Sequence, residues 1–161
     1  MDELFASLIK LLMDQEGLMA RLVLLGEREM EALKQNDLPG LSVVVAEQEK
    51  ASQALSRLEK ERIQLQGRLS GLLPSGNSLI LRDILPYAGK ERAQLEKLAA
   101  TLQLHCLRLQ ELNETNTLLI RQSLAYINRL LPHLAPNEGV SYSPEGHFQP
   151  LSRGGVLDKT V

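Results

Sequence analysis

The chain is poor in the residues from which sheets and most active sites are built. Tryptophan is absent, and two Phe and three Tyr make up only 3% of the residues. Strands draw on aromatic and β-branched side chains, so this scarcity excludes an all-β or doubly wound α/β fold. A single cysteine, Cys106, cannot close an internal disulfide, which fits a reducing compartment. No run approaches ~18 uninterrupted apolar residues, so no membrane insertion is expected. The opening MDELFASLIKLLMDQEG has no basic region, no continuous apolar stretch and no small-residue cleavage site. It does not read as a secretion signal, and the cytoplasm is the expected location. An excess of one charge is missing as well. Eighteen basic against 20 acidic residues leave a net charge of −2, with no basic stripe to hold phosphates. Nucleic acid is excluded as a partner on that ground.

What the chain has instead is leucine, 35 copies, among Glu, Gln, Arg and Lys. These are strong helix formers. Because proline breaks a helix interior, the proline-free spans between Pro39, Pro74, Pro86 and Pro132 are the candidate helices. The first runs over about 2–36, with a 4-3 seam of Leu4, Leu8, Leu11, Gln15, Leu18, Leu22 and Leu25. Phe5, Leu12, Met19 and Leu33 widen that seam into a core-facing stripe. In NDLPG, Asn36 can close this helix, Asp37 can cap the next, and Pro39 fits a first turn. The second helix, 39–72, steps by three and four from Leu41 to Leu72, with only Gln48 and Arg62 polar.

A short helix is expected over 78–85, capped by Asn77 or Ser78, and a third long one over 87–131. The last keeps a seam from Leu95 and Leu98 through His105, Leu112 and Asn116 to Tyr126 and Leu130. At ~1.5 Å per residue it reaches roughly 65 Å, against roughly 50 Å for the other two. The expected fold is all-α: residues 1–134 form an elongated antiparallel bundle or coiled coil of three long helices plus one short one. Residues 135–161, rich in Pro, Gly and Ser without periodicity, are expected to form a flexible tail.

Candidate chemistry is thin. His105 and Cys106 are adjacent and point about 100° apart on a helix, so they do not converge on one ion. His133 and His147 share no ligand spacing with them, and no phosphate loop, nucleophile elbow or carboxylate–histidine set is present. No catalytic residue, metal or cofactor is assigned, and an enzyme is not expected. Asn116 occupies a seam slot with Asn113 one turn earlier. Such an amide either fixes the register of a bundle or bonds to a partner helix. After Thr117 the apolar residues spread over two faces: 119/126/130 is joined by Ile120, Leu124, Ile127 and Leu131. A helix apolar on two faces needs two partners. The second face is covered by the short helix, by a second copy in a homodimer, or by an amphipathic helix of another protein.

The stretch ELNETNTLLIRQSLAYI, 111–127, resembles the signature of the FlgN-type flagellar export chaperones: a leucine, two asparagines three apart, then an apolar run. MEALKQNDLPGL, 30–41, resembles that family's corner before its second helix, although Pro39-Gly40 departs from the helix formers more usual there. Tyr142 to Gly146 resembles its tyrosine-x-x-x-glycine tail element, and LDKTV near the end is also similar. The resemblance implies a cytoplasmic chaperone that binds the C-terminal helical segments of hook-associated (hook–filament junction) proteins. It would prevent their premature assembly and deliver them to the export gate. By position it implies cargo contacts at Leu109, Leu112, Asn113, Asn116, Leu119, Ile120, Ser123 and Ile127, and gate docking through Tyr142 and Gly146. The alternatives are a non-catalytic coiled-coil scaffold that oligomerises through the second seam, or a regulatory helix binder of the anti-sigma kind.

Overall fold

A computed structural model describes residues 1–73, 81–134, 140–142 and 148–150, with side chains through residue 133. It bears out the all-α class. The first unit, Met1–Ile120, contains helix α1 (Asp2–Gln35), helix α2 (Leu38–Ser70), the one-turn helix α3 (Leu81–Ile84), and helix α4 from its start at Arg92. The second unit, Arg121–Val161, contains the rest of α4, which ends at Leu134, and two short strands.

The corner between α1 and α2 is built as its residue types dictate. Asn36 adopts the left-handed conformation, φ 55°, and closes α1. The side chain of Asp37 caps α2 by accepting the N–H of Gly40 at 3.0 Å, with Pro39 in the first turn. Pro39-Gly40 therefore suits the junction. A Cβ at residue 40 would lie 2.1 Å from a carboxylate oxygen of the capping Asp37, so a larger residue there would have to displace the capping side chain.

α1 bonds to both of the other long helices of the first unit. It runs antiparallel to α2, since Gln15 meets Glu59 and Glu29 meets Gln48. It runs parallel to α4, since Glu16 meets His105 and Glu29 meets Asn116. Serving two neighbours requires a double stripe, and both of its stripes are used. Leu8, Leu22 and Leu25 of the seam are buried, and so are the flanking Phe5, Leu12 and Met19. One apolar cluster joins Phe5, Leu8, Ile9 and Leu12 to Leu69, Ile84 and Leu95; a second joins Leu22 and Leu25 to Val44 and Ala51.

The start of α4 differs from the expected 87. Leu85–Tyr87 and Gly89–Glu91 are 3₁₀ turns, and the α-helix begins at Arg92. Gly89 takes φ +53°, which interrupts a right-handed helix. The far end also differs: α4 continues through Pro132 to Leu134 instead of stopping at 131. Proline's fixed φ is helical, but Pro132 has no N–H for the carbonyl of Asn128 and its ring crowds that carbonyl, and α4 ends two residues further on. The short helix is described only as Leu81–Ile84, and its expected caps at 77–78 lie outside the described residues. Within the expected tail, strand β1 (Val140–Tyr142) pairs antiparallel with strand β2 (Phe148–Pro150), Tyr142 opposite Phe148. The remaining tail residues, Gly146 among them, lie outside the described residues.

Burial separates two leucines of the same helix. Leu95 is fully buried and Leu104 is 66% exposed. Leu95→Ala should cost about 2–5 kcal/mol of stability, and Leu104→Ala less than about 0.5 kcal/mol, read from urea midpoints. Equal costs would contradict the inward face assigned to α4.

Candidate helix-binding site

The expected contact residues divide between two environments. In the first unit Leu112 is buried against Gly26 of α1, and Leu109 is half-buried against the second apolar cluster. Asn116 is buried as well. Its amide donates to the carbonyl of Gly26 at 3.1 Å and to Glu29 Oε2 at 2.9 Å. The same carboxylate oxygen accepts from Gln48 of α2 at 2.8 Å, so one side chain of α1 joins all three long helices. This is the register role open to Asn116 from its seam position. Asn113 and Ile120 are exposed, and Leu119 is half-buried.

In the second unit Ser123 is half-buried and Ile127 is 50% exposed. Leu124, Tyr126, Leu130 and Leu131 are exposed beside Ile127. Their 3- and 4-residue steps keep them on one broad helical face. Tyr142 ends β1, and Gly146 lies outside the described residues. The structure thus draws Leu109, Leu112 and Asn116 into the bundle and leaves Ile127 with an exposed apolar set. Leu124, Leu130 and Leu131 have the same character, and their place in the two-faced pattern was the signal for them.

A feature with no single sequence signal is a cleft of about 600 Å³ among α1, α2 and α4, lined by Leu12, Met19, Leu55, Leu102 and Cys106. Three of its polar groups are engaged with one another or with Gln66. Gln15 donates to Glu59 at 3.0 Å, and Arg62 donates to Glu59 at 2.7 Å and also to Gln66. The hydrogen bond from Arg62 holds the Glu59 carboxyl below its ordinary range against the opposing effect of burial, with Gln15 assisting. The same bond raises the pKa of Arg62. Exposed Arg108 is raised by its bonds to Glu27 and Glu111. Among the described residues no group of three or more His, Cys, Asp or Glu could hold a metal ion, and no helix is long and apolar enough to cross a membrane. His105, expected on the inner seam, lies 3.3 Å from Glu16 of α1.

Comparison with known proteins bears on this geometry. The family described as "FlgN protein" matches residues 1–149, nearly the whole chain. The chain belongs to the FlgN family. An uncharacterized protein of Bacillus subtilis (strain 168), YvyG, is 32% identical over 117 residues, covering 73% of this chain and 72% of that protein. No solved structure matches. The FlgN match places the chain among flagellar export chaperones, a non-enzymatic family, and spans both the Asn116 junction and the exposed end of α4.

Two outcomes are expected from the polar contacts. Asn116→Ala and Glu29→Gln should couple by about 0.5–3 kcal/mol in a double-mutant cycle of unfolding; strict additivity would mean that the junction is not formed. The lowered pKa of Glu59 makes its contribution complete above the unfolded value and lost as pH falls through the folded one. Glu59→Gln should therefore flatten the fall in stability between about pH 5 and pH 3 in thermal melts. An unchanged slope would remove Glu59 from the acid response.

Proposed function

We propose that this FlgN-family protein captures C-terminal helices of hook-associated proteins on the exposed apolar face of α4, prevents their premature assembly and delivers them to the flagellar export gate. The observation that carries the reading is the set Leu124, Ile127 and Leu131 with Tyr126 and Leu130, all at least 36% exposed on one segment. A monomeric soluble chain seldom leaves so continuous an apolar face open without a partner for it. An amphipathic helix with apolar residues at i, i+3, i+4 and i+7 has the complementary pattern. Segments that form bundles only after assembly carry such a stripe and need it covered beforehand.

The binding is apolar and non-covalent. Half-exposed leucine and isoleucine side chains each contribute on the order of 1 kcal/mol when covered. Four such groups and the ring of Tyr126, opposed by the entropy of association, suit reversible capture, which delivery requires. Leu109, Leu112, Asn113, Asn116, Leu119, Ile120 and Ser123 act in this proposal mainly by presenting the helix, with Asn113 and Ile120 open to direct contact. Tyr142 and Gly146 supply a separate element for docking at the export gate. Action in the cytoplasm as a monomeric capture module, with no cofactor, completes the reading; homodimerisation through the same face is its competitor.

Titration calorimetry of the full chain with the C-terminal helical segments of its organism's junction proteins should give one-to-one binding at micromolar Kd or tighter. Its heat-capacity change should be negative. Ile127→Glu should weaken that binding at least about tenfold with an unchanged far-UV circular dichroism signal, because the carboxylate is desolvated against an apolar partner. Tyr142→Ala should leave cargo affinity intact and weaken gate docking. Normal binding by Ile127→Glu, or a parent chain that self-associates and ignores the segments, would sink the reading.

A further inference from the structure

We infer that the partner of the exposed end of α4 docks as a pair of antiparallel helices from one segment, not as a single helix. The inference rests on the helix-capture reading and names the form in which the captured segment binds. Its basis is the width of the apolar surface. In heptad terms Leu109, Asn116 and Leu130 occupy position a of α4, Leu112 and Tyr126 occupy position d, and Ile127 occupies position e. Position b is filled by Glu96, Gln103, Gln110 and Thr117 in the first unit, then by Leu124 and Leu131 in the second. The four polar residues of that row are exposed, as a row beyond the packed face should be.

The first unit shows how many helices such a width takes. There positions a and d of α4 meet α1, with Leu112 against Gly26 and Asn116 donating to the carbonyl of Gly26. Position e, at Ala99 and Cys106, lines the cleft that α2 enters with Ser52, Leu55 and Ser56. These three rows are thus shared between two helices. The second unit carries exposed apolar residues in the same rows, at Tyr126, Ile127 and Leu130, and adds the b row to them. A single partner helix seals the narrow a/d seam of a coiled coil. At about 100° per residue, however, Tyr126 and Leu124 stand roughly 160° apart at the two borders of the arc. One helix laid on Tyr126 and Leu130 would leave Leu124 and Leu131 in water, where they are now 55% and 44% exposed. Two helices side by side cover both borders. A segment that folds back on itself through a short loop supplies them antiparallel.

The test is hydrogen exchange, read by mass spectrometry, on the C-terminal segment of a junction protein bound to the full chain. Two stretches of that segment should exchange at least about tenfold slower than in the free segment, on either side of an unprotected turn. A single protected stretch overturns the pair and leaves helix capture standing. The double variants Tyr126→Glu, Leu130→Glu and Leu124→Glu, Leu131→Glu should each lose protection mainly in a different stretch. Circular dichroism on these exposed positions checks that the fold is kept. Loss from the same stretch in both variants also overturns the pair. No protection anywhere, or a chain that dimerises and ignores the segment, overturns capture and the pair together.

Discussion

Everything in the first unit depends on α1 having to satisfy two neighbours at once. A helix with one partner needs one stripe; α1 buries two, Leu8, Leu22 and Leu25 on the seam and Phe5, Leu12 and Met19 beside it. Among the described residues no hydrogen bond or ion pair joins α2 directly to α4, whereas both bond to α1 through Gln15, Glu16, Glu27 and Glu29. The polar bonds of α2 and α4 thus run to the same helix, while residues of all three share one apolar cluster. The cleft lined by Leu12, Met19, Leu55 and Cys106 lies where the three meet.

Leucine seams alone would let α2 and α4 slip along α1, because one leucine fits a hole as well as the next. Two polar junctions oppose this. Glu29 accepts from Gln48 and Asn116, and Glu59 accepts from Gln15 and Arg62. Each net hydrogen bond stabilises by only about 1 kcal/mol, but a slip of one turn would strand a half-buried carboxylate without its donors. The junctions therefore act more on alignment than on total stability. Their position bears on function as well: Asn116 is the last residue of α4 to bond to α1 among the described residues, and the exposed apolar set begins beyond it.

Most of the fold was legible because heptad spacing and turn residues act locally. The corner at Asn36, Asp37 and Pro39 follows from one left-handed residue and one side-chain cap, both readable from residue type. The beginning of α4 was less so, since Gly89 reads as a tolerated helix glycine until its positive φ is seen. The site was legible in part. Two apolar faces on α4 were visible, but which face a neighbour occupies depends on how the helix is rotated against α1. Leu112 and Asn116 were therefore grouped with Ile127, although the first two face inward. The partner of Asn116 is Glu29, which continues the 4-3 spacing of the α1 seam one step past Leu25 but, being charged, was not read as part of it.

The exposed end of α4 also has an advantage that a free peptide of the same sequence would lack. Isolated helices shorter than about 12–15 residues are marginal in water because the first turn is costly to nucleate. Residues 121–134 are the continuation of a helix that begins at Arg92 and whose earlier turns are packed through Leu95 and Leu112. Their helical conformation propagates from turns already formed, so a partner need not offset that nucleation. Part of the entropy of binding is thereby removed in advance. The same continuity explains why the apolar pattern can run past the last bond to α1 without the helix ending there. Helicity is maintained by elongation, and the uncovered side chains remain available to a partner.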